Sequence, residues 1–266
     1  MPDLDLFPAD QSEPSAQTGQ ESTSDMSAPL AARMRPRTLS EFRGQEHLLG
    51  EGRAIRAMLD QKSPKSMIFW GPPGSGKTTL ARLIAAETEV TFVPLSAVSE
   101  GIARVREIMK QASTRLQATG RRTILFCDEI HRFNKAQQDS FLPHVEAGTV
   151  ILIGATTENP SFEIVRPLLS RAPVYVLNPL SAEELRAILD DAVRSKVRGL
   201  GDVGVSFEDD AVEFIAEASD GDARRALGLI EAAANVMSDG GIVGVAAAQE
   251  ALQHRFAAYD KGGEEH

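Results

Sequence analysis

The sequence predicts an α/β fold, a parallel sheet with helices on both faces, followed by a small all-helical domain. From residue 66 onward, five short apolar runs alternate with stretches of helical periodicity, the pattern of strands that are connected by helices in a parallel sheet. After Pro179 the strand-like runs stop, and helical periodicity continues to residue 256. We therefore predict a sheet domain over residues 28–178 and a helical domain over residues 179–256.

The two ends of the chain differ in composition from the predicted domains. Residues 1–27 are rich in Ser, Asp, Glu, Gln and Pro and hold few large apolar side chains. Such a segment buries too little surface to offset the entropy of ordering, so we expect a disordered acidic tail. The LDLF run near its start has two interpretations, a solvated tail or a partner-binding motif. Residues 257–266 form a second acidic end.

Charge and cysteine content exclude several classes of protein. The 266 residues have a net charge of −10, which excludes a protein whose whole surface is basic and binds nucleic acid. Residues 33–135 nevertheless hold 18 basic against 10 acidic residues, so a local basic patch is still compatible with the sequence. The single cysteine, Cys127, excludes an internal disulfide framework and a cysteine-based zinc site, and its apolar surroundings predict a buried strand residue. Since no apolar run approaches the ~18 residues of a membrane-spanning helix, we expect a cytoplasmic protein without a membrane partner.

A glycine-rich segment follows the first apolar run. Residues Gly71–Thr78 read GPPGSGKT, which fits the GxxxxGK[ST] pattern, and lie between a predicted strand and a predicted helix. The backbone N–H groups of such a loop, with the positive end of the following helix, form an anion cradle. Lys77 can reach the β- and γ-phosphates, and the Thr78 hydroxyl can bind Mg²⁺. ATP and Mg²⁺ are therefore the expected cofactors, and the predicted nucleotide-binding residues are Gly71, Pro72, Pro73, Gly74, Ser75, Gly76, Lys77, Thr78 and Thr79.

Two adjacent carboxylates, Asp128 and Glu129, end the third apolar run. The carboxyl ends of strands in open parallel sheets face the crevice in which ligands bind. Asp128 fits a second group on the magnesium side, acting through water, and Glu129 fits the base that orients an attacking water onto the γ-phosphate. An isolated Asp-Glu pair is more simply a helix cap or a solvated turn, but its position after a phosphate loop, on a strand of its own, favours catalysis. Together these features predict a P-loop NTPase.

Longer motifs narrow this class. The segments RPRTLSEFRGQEHLLG, GPPGSGKTTLA, ILFCDEIHRFNKAQQDSFLPHVEAG, IGATTENPSFE, LLSRA and GDARRAL resemble the AAA+ ATPases and, more narrowly, the family of replication-associated recombination protein A and the Werner-helicase-interacting protein. The resemblance runs from about Leu30 to the last residues. It implies a P-loop AAA+ module followed by a helical lid, and a close relation to clamp-loader subunits and to the Holliday-junction branch-migration motor.

The resemblance also implies roles for residues outside these two motifs. Thr157, directly after the run VILIGAT, matches sensor 1, a hydroxyl able to hold the lytic water or the γ-phosphate, and Asn159 is a weaker candidate. Arg171 in LLSRA matches the arginine finger that completes a neighbouring subunit's site, and Arg224 in GDARRAL matches sensor 2 of the lid. The segment 35–45 matches the stretch that packs on adenine. The predicted catalytic residues are thus Asp128, Glu129, Thr157, Arg171 and Arg224, and those on the metal are Thr78 and Asp128.

Two further features each have more than one interpretation. Basic residues cluster on and after one predicted helix, either as a solvated face or as a contact to the DNA backbone, and they are Arg104, Arg106, Lys110, Arg115, Arg121 and Arg122. Because no aromatic residues are interleaved with them, base stacking is not expected there. His131 follows the acid pair without ligand spacing to another histidine, so we expect a packing or signalling residue beside the site.

The resemblance implies a DNA-dependent AAA+ ATPase that acts in replication-fork maintenance, recombination and repair, with backbone contacts to single-stranded, gapped or forked DNA. Homo-oligomers are implied for full-length members, single-stranded-DNA-binding protein or other replication factors are candidate partners, and a nucleoid-associated location is expected. Because the sequence stops just after the lid, we expect it to lack the C-terminal oligomerisation domain. Two alternatives stay open, a clamp-loader subunit or branch-migration motor, and a nucleotide-gated recruitment module with little turnover.

Overall fold

The computed structural model describes residues 27–237 and 240–253. The predicted acidic tail, except Ser27, and the predicted acidic C-terminal end lie outside these residues, as do the last three residues of the predicted helical domain. None of the helices in the described part of the chain is long and apolar enough to cross a membrane.

Within the described residues, five parallel strands form one sheet, which confirms the predicted α/β class. The strand order is β2-β3-β4-β1-β5. The three central strands are buried almost throughout, which explains their continuous apolar sequences. Cys127 is fully buried in β3, as predicted, and burial raises the pKa of its thiol. The strands are β1 Met67–Trp70, β2 Thr91–Ser96, β3 Thr123–Asp128, β4 Val150–Thr156 and β5 Val174–Val176.

Helices cover both faces of this sheet. Ile68 and Phe69 are adjacent in β1 but belong to different apolar clusters, because successive strand side chains point to opposite faces. The Phe69 cluster includes Leu80 of α4, and the Ile68 cluster includes Ile108 of α5. Short 3₁₀ turns occupy Leu39–Glu41 and Ile130–Arg132. The helices are α1 Leu30–Arg33, α2 Glu46–Leu49, α3 Ala54–Asp60, α4 Lys77–Glu87, α5 Ile102–Thr119, α6 Lys135–Asp139, α7 Leu142–Glu146, α8 Pro160–Glu163 and α9 Arg166–Leu169.

The lid that follows the sheet has its own apolar cluster, built by α10 Ala182–Arg194, α11 Asp209–Ala218, α12 Ala223–Val236 and the helical residues 245–253. A capping box starts α10, where the Glu184 N–H donates to the Ser181 hydroxyl and the Ser181 N–H donates to the Glu184 carboxylate.

The lid also contains two strands that the all-helical prediction did not include. β6 Val205–Phe207 and β7 Gly241–Val243 pair in parallel. Their sequences, VSF and GIV, are short and contain Ser206 and Gly241, so they lack the unbroken apolar run that indicates the equally short β5. The helical lid of the prediction is therefore corrected to a mainly helical lid with a small two-stranded sheet.

The first helix of the sheet domain packs against the lid. Leu30 is fully buried within the lid cluster, and its backbone N–H donates to Glu231 Oε1 at 2.9 Å. The guanidinium of Arg33 donates to the Gly199 carbonyl at 3.2 Å. A helix of four residues cannot bury its apolar side alone, so α1 belongs to the lid by packing although it precedes the sheet in sequence.

Candidate nucleotide-binding site

A cavity of about 480 Å³ lies where the phosphate loop, the carboxyl ends of the strands, the segment after α1 and the lid meet. It therefore lies at the crevice in which ligands bind in open parallel sheets. Its walls include residues from all four parts of the molecule, among them Arg35, Phe42, Gly74, Lys77, Thr78, Thr79, Asp128, Glu129, Thr157, Arg198 and Arg224.

The phosphate loop curls between β1 and α4 because two of its glycines adopt left-handed conformations, with φ of +69° at Gly74 and +98° at Gly76. Both positions also have a close neighbour, since a Cβ on Gly76 would lie 2.8 Å from the Phe42 ring and a Cβ on Gly74 would lie 2.7 Å from the Cα of Asp222. The loop ends at α4, an eleven-residue helix whose N-terminal N–H groups can bind an anion.

Lys77, the first residue of α4, is a buried cation held inside this loop. Its Nζ donates to the carbonyls of Gly71 at 2.7 Å and Pro72 at 2.8 Å. Burial lowers the pKa of Lys77, and the carboxylates of Glu129 and Asp128 partly oppose the shift. A buried ammonium beside a cavity is placed to bind an anion, as the sequence predicts.

The acid pair also lines the cavity. Asp128 is the last residue of β3, and Glu129 follows with a left-handed backbone, φ +52°. The structure brings both carboxylates into one cavity with Lys77 and Thr78, which are about 50 positions away in sequence. The hydroxyl of Thr78 and the carboxylate of Asp128 are hard oxygen donors, a set that suits Mg²⁺.

The candidate sensor threonine lies one residue beyond the strand. β4 ends at Thr156, so the run VILIGAT stops one residue before Thr157. Thr157 lines the cavity. Thr156 is fully buried, and its hydroxyl contacts His131 and the backbone of Glu158. Asn159, the weaker candidate, caps α8 through its side chain.

Two arginines face the cavity from different parts of the molecule. Arg224 lies in the first turn of α12 in the lid, and Arg35 lies just after α1. Burial lowers the pKa of Arg35, and the positive charges of Arg82 and Arg224 lower it further. Neither Arg35 nor Arg224 forms an ion pair with any residue that the structure describes. Two such cations beside a phosphate loop point to an anionic ligand.

Arg171, the candidate arginine finger, lies outside the residues that line the cavity. It is exposed after α9, where its guanidinium pairs with Glu146 at 2.5 Å and donates to the Pro167 carbonyl at 2.8 Å. Its role stays a prediction, since completion of a site by this residue requires a second subunit.

The sequence motifs did not identify the residues that join the segment before the phosphate loop to the end of the sheet domain and to the lid. Gln45 is buried with φ +63°; its side-chain amide donates to the Asn178 carbonyl at 2.8 Å and accepts the Asn178 N–H at 2.9 Å. The Glu41 carboxylate accepts hydrogen bonds from both terminal nitrogens of Arg198 in the lid, at 3.1 and 3.2 Å. These partners are more than a hundred residues apart, so local patterns carry no sign of them.

The basic residues on and after α5 differ in their surroundings. Arg104 pairs with Glu107 at 2.9 Å and with Glu100 at 3.4 Å. Arg106 and Lys110 are exposed and form no ion pair within the described residues. Of these three residues, Arg106 and Lys110 therefore carry free positive charge, whereas Arg104 does not.

A phosphate loop between a strand and a helix, and an acid pair at the end of a neighbouring strand, define a P-loop ATPase. The family described as "ATPase family associated with various cellular activities (AAA)" matches residues 67–180, and the family described as "AAA C-terminal domain" matches residues 201–266. The chain belongs to the AAA ATPases. Its homologues in this class include proteins named replication-associated recombination protein A.

These relatives are similar over most of this chain. The protein of that name from Haemophilus influenzae is 47% identical over 89% of the chain and 53% of its own length. The one from Escherichia coli is 50% identical over 78% of the chain and 46% of its own length. The chain thus spans about half the length of the curated relatives it matches.

A solved structure supports the same class. RuvB, the Holliday junction branch migration motor of Thermotoga maritima, is 29% identical with a TM-score of 0.66, covering 83% of this chain and 72% of that chain. The agreement extends beyond the sheet, because a match over this share of the chain includes part of the lid.

Proposed function

We propose that this chain is the ATPase part of a DNA-dependent motor that hydrolyses ATP to ADP and phosphate during replication-fork maintenance, recombination and repair. The observation that carries this proposal is the convergence of Lys77, Thr78 and the acid pair in one cavity that the lid also lines. The names of the homologues support the biological context.

Each part of the cavity has a task in this proposal. The N–H groups of the phosphate loop and Lys77 hold the β- and γ-phosphates, and Thr78 and Asp128 hold Mg²⁺. When bound, Mg²⁺ supplies positive charge to the phosphate oxygens. Glu129 accepts a proton from the attacking water as it approaches the γ-phosphate. Arg224 contacts the γ-phosphate from the lid, so the lid responds to the presence of that phosphate.

Two further residues act at the γ-phosphate in this proposal. Thr157, directly after β4 and lining the cavity, holds the lytic water or a γ-phosphate oxygen through its hydroxyl. Arg171 is exposed and lies outside its own chain's cavity, which supports action in trans on a neighbouring subunit in a homo-oligomer. A guanidinium there neutralises the charge that develops on the transferred phosphoryl group.

In this proposal the protein contacts the phosphate backbone of DNA through α5. Arg106 and Lys110 offer unpaired positive charge on α5, which suits sequence-independent contacts to single-stranded, gapped or forked DNA. Single-stranded-DNA-binding protein or other replication factors are the proposed partners, in the cytoplasm and at the nucleoid.

Two alternatives differ in measurable ways. The similarity to RuvB favours a branch-migration motor as the second candidate, whereas a clamp-loader subunit would require a sliding clamp for stimulation. A nucleotide-gated recruitment module would bind ATP and hydrolyse it very slowly. The complete acid pair in the cavity favours hydrolysis over this last alternative.

The test is ATP turnover with Mg²⁺ in the presence of single-stranded, duplex, gapped and forked DNA, beside a sizing column. We expect basal turnover that rises with protein concentration and with DNA that contains single-stranded regions. Lys77→Ala is the inactive control, and Lys65→Ala, on the exposed turn before β1, controls for loss of a lysine. Tight ATP binding without turnover under any of these conditions would establish the recruitment module instead.

A further inference from the structure

His131 contacts both the proposed catalytic base and the strand that carries the candidate sensor. It lies in the 3₁₀ turn Ile130–Arg132, and its side chain is only 10% exposed. Its Nδ1 is 2.9 Å from the hydroxyl oxygen of Thr156 and 3.3 Å from Oε2 of Glu129. One ring nitrogen therefore faces two oxygens from two different strand ends.

The chemistry of these oxygens decides which atom carries the proton. The Glu129 carboxylate lies 3.3 Å from Nδ1 as a charge contact rather than a hydrogen bond, and a negative charge at this distance favours a proton on that nitrogen. The Thr156 hydroxyl accepts the Glu158 N–H at 3.0 Å and faces the Glu158 carbonyl at 3.2 Å. If the hydroxyl donates to that carbonyl, it also accepts from Nδ1. The Nδ1–H tautomer thus donates to the Thr156 hydroxyl and turns the positive end of the same N–H group towards Glu129.

The result is a continuous series of polar contacts from the base to the sensor turn, in which Thr156 is hydrogen-bonded to His131 and Glu158, and the His131 ring lies 3.3 Å from Glu129. Thr156 is fully buried as the last residue of β4. Its two contacts with Glu158 shape the turn that presents Thr157 to the cavity. A displacement of this turn therefore moves the hydroxyl that His131 contacts, and through it the donor on Glu129.

We propose that His131 is a positioning residue that holds the Glu129 carboxylate in its orientation for activating water and couples that orientation to the turn carrying Thr157. This proposal rests on the proposed function, in which Glu129 is the base. Glu129 is 31% exposed, and its Oε1 makes no hydrogen bond or ion pair with any residue that the structure describes. With Oε2 held by His131, Oε1 is available to the attacking water. A glutamate side chain without this donor would populate several rotamers, and few of them would place an oxygen correctly.

A histidine that only fills space predicts a different response to substitution. The amide nitrogen of an asparagine can occupy the place of Nδ1, whereas the longer glutamine places its amide near Nε2. His131→Asn therefore keeps the relevant donor, His131→Gln moves it, and His131→Phe removes it while retaining a ring. If His131 only fills space, the Phe variant should have the highest kcat of the three. If His131 positions Glu129, the Asn variant should have the highest kcat.

The experiment measures steady-state kcat and KM, nucleotide Kd and thermal stability for these three variants of the 266-residue chain. We expect His131→Phe to lower kcat about tenfold to hundredfold, the scale of small misplacements of a reacting group, with Kd within about twofold of the parent because the phosphate cradle is intact. We expect His131→Asn to recover most of the loss and His131→Gln to recover little.

A second pair of variants tests the coupling to β4 without changing the histidine. Thr156→Val removes the hydroxyl and should lower kcat without changing nucleotide Kd, whereas Thr156→Ser retains the hydroxyl and should remain near the parent value. Equal kcat in Val and Ser variants of equal stability would overturn the coupling.

Glu129→Gln separates failure of this proposal from failure of the proposed function. Parent-like turnover in Glu129→Gln would overturn the base and this proposal together. An inactive Glu129→Gln beside a fully active His131→Phe would overturn the positioning role alone and leave the proposed function in place. If His131→Phe is too unstable to assay, the comparison of His131→Asn with His131→Gln tests the positioning role. A kcat of the Asn variant that does not exceed that of the Gln variant would overturn it.

Discussion

Gly74 of the phosphate loop lies against Asp222 of the lid so closely that a Cβ at residue 74 would overlap the Asp222 carboxylate and lie 2.7 Å from its Cα. Asp222 is the N-cap of α12, and its carboxylate accepts the N–H of Arg225 at 2.9 Å. The cap that starts this helix is therefore also the contact between the lid and the nucleotide loop. A displacement of the loop would therefore act directly on the helix that carries Arg224.

Gly74→Ala should destabilise the protein and weaken nucleotide binding, because it adds both backbone strain and a collision. Gly52→Ala is the matched control, since Gly52 has a similar φ of +74° but open space around a Cβ. Left-handed strain alone costs ~1–2 kcal/mol, so Gly52→Ala should lose about that much in urea unfolding. Gly74→Ala should lose more and should raise nucleotide Kd. Equal losses of unfolding free energy in the two variants would show that Asp222 moves aside without destabilising the protein.

Glu129→Gln should bind ATP normally and hydrolyse it at least ~100-fold more slowly, the scale of losing a general base. Lys77→Ala should instead lose tight binding, because it removes the ammonium that lies in the cradle. Fluorescent-nucleotide titration and phosphate release separate the two effects. Parent-like turnover in Glu129→Gln would place the base at another residue.

Arg35→Ala should raise nucleotide Kd about tenfold to hundredfold, since a charge-assisted hydrogen bond contributes ~1.5–3 kcal/mol. Arg35 is half-buried in the cavity wall beside Arg224. Arg37→Ala, two residues away and exposed, is the control and should bind nucleotide like the parent. Titrations with ATP, ADP and adenosine locate the contact, because a phosphate contact is lost with adenosine. Identical affinities in the two variants would show that Arg35 does not contact the nucleotide.

Arg171 is expected to act in trans, since it lies outside the cavity of its own chain. In the full-length context, mixing Arg171→Ala with Lys77→Ala should recover part of the ATPase activity that each lacks alone. Fingers of this kind contribute ~10³–10⁵ in rate in small GTPases, and we expect the low end or less. Arg166→Ala, an exposed neighbour on α9, should retain full activity. Confirmed oligomers without recovery would assign Arg171 a structural or cis role.

DNA affinity should be weak and steeply dependent on salt, because only backbone charges are contacted. Charge reversal at Arg106 or Lys110 should weaken binding and reduce the salt slope by about 1. Arg104 is already paired with Glu100 and Glu107, so its reversal should have a smaller effect. Reversal of Arg194, exposed in the lid, is the control in anisotropy titrations from low to high salt. An unchanged salt slope in the Arg106 and Lys110 variants would show that this face of α5 is solvated and does not contact DNA.

The sequence alone determined the nucleotide loop, the acid pair and the parallel sheet. Each of these is local: the loop lies between one strand and one helix, and Asp128 and Glu129 end a single strand. Apolar runs of four to seven residues are long enough to show periodicity. β5 is as short as the two lid strands but belongs to the unbroken apolar run VYVL, whereas β6 contains Ser206 and β7 contains Gly241. The lid was therefore predicted to be all-helical.

How these parts meet depends on contacts between residues that are distant in the sequence. The docking of α1 on the lid, the pairing of Gln45 with Asn178 and the contact of Arg198 with Glu41 all join residues that are far apart in the chain. The position of His131 between Glu129 and Thr156 likewise depends on β3 and β4 being neighbours in the sheet. Local sequence patterns describe one element at a time, whereas distances between elements depend on strand order and on how the lid packs.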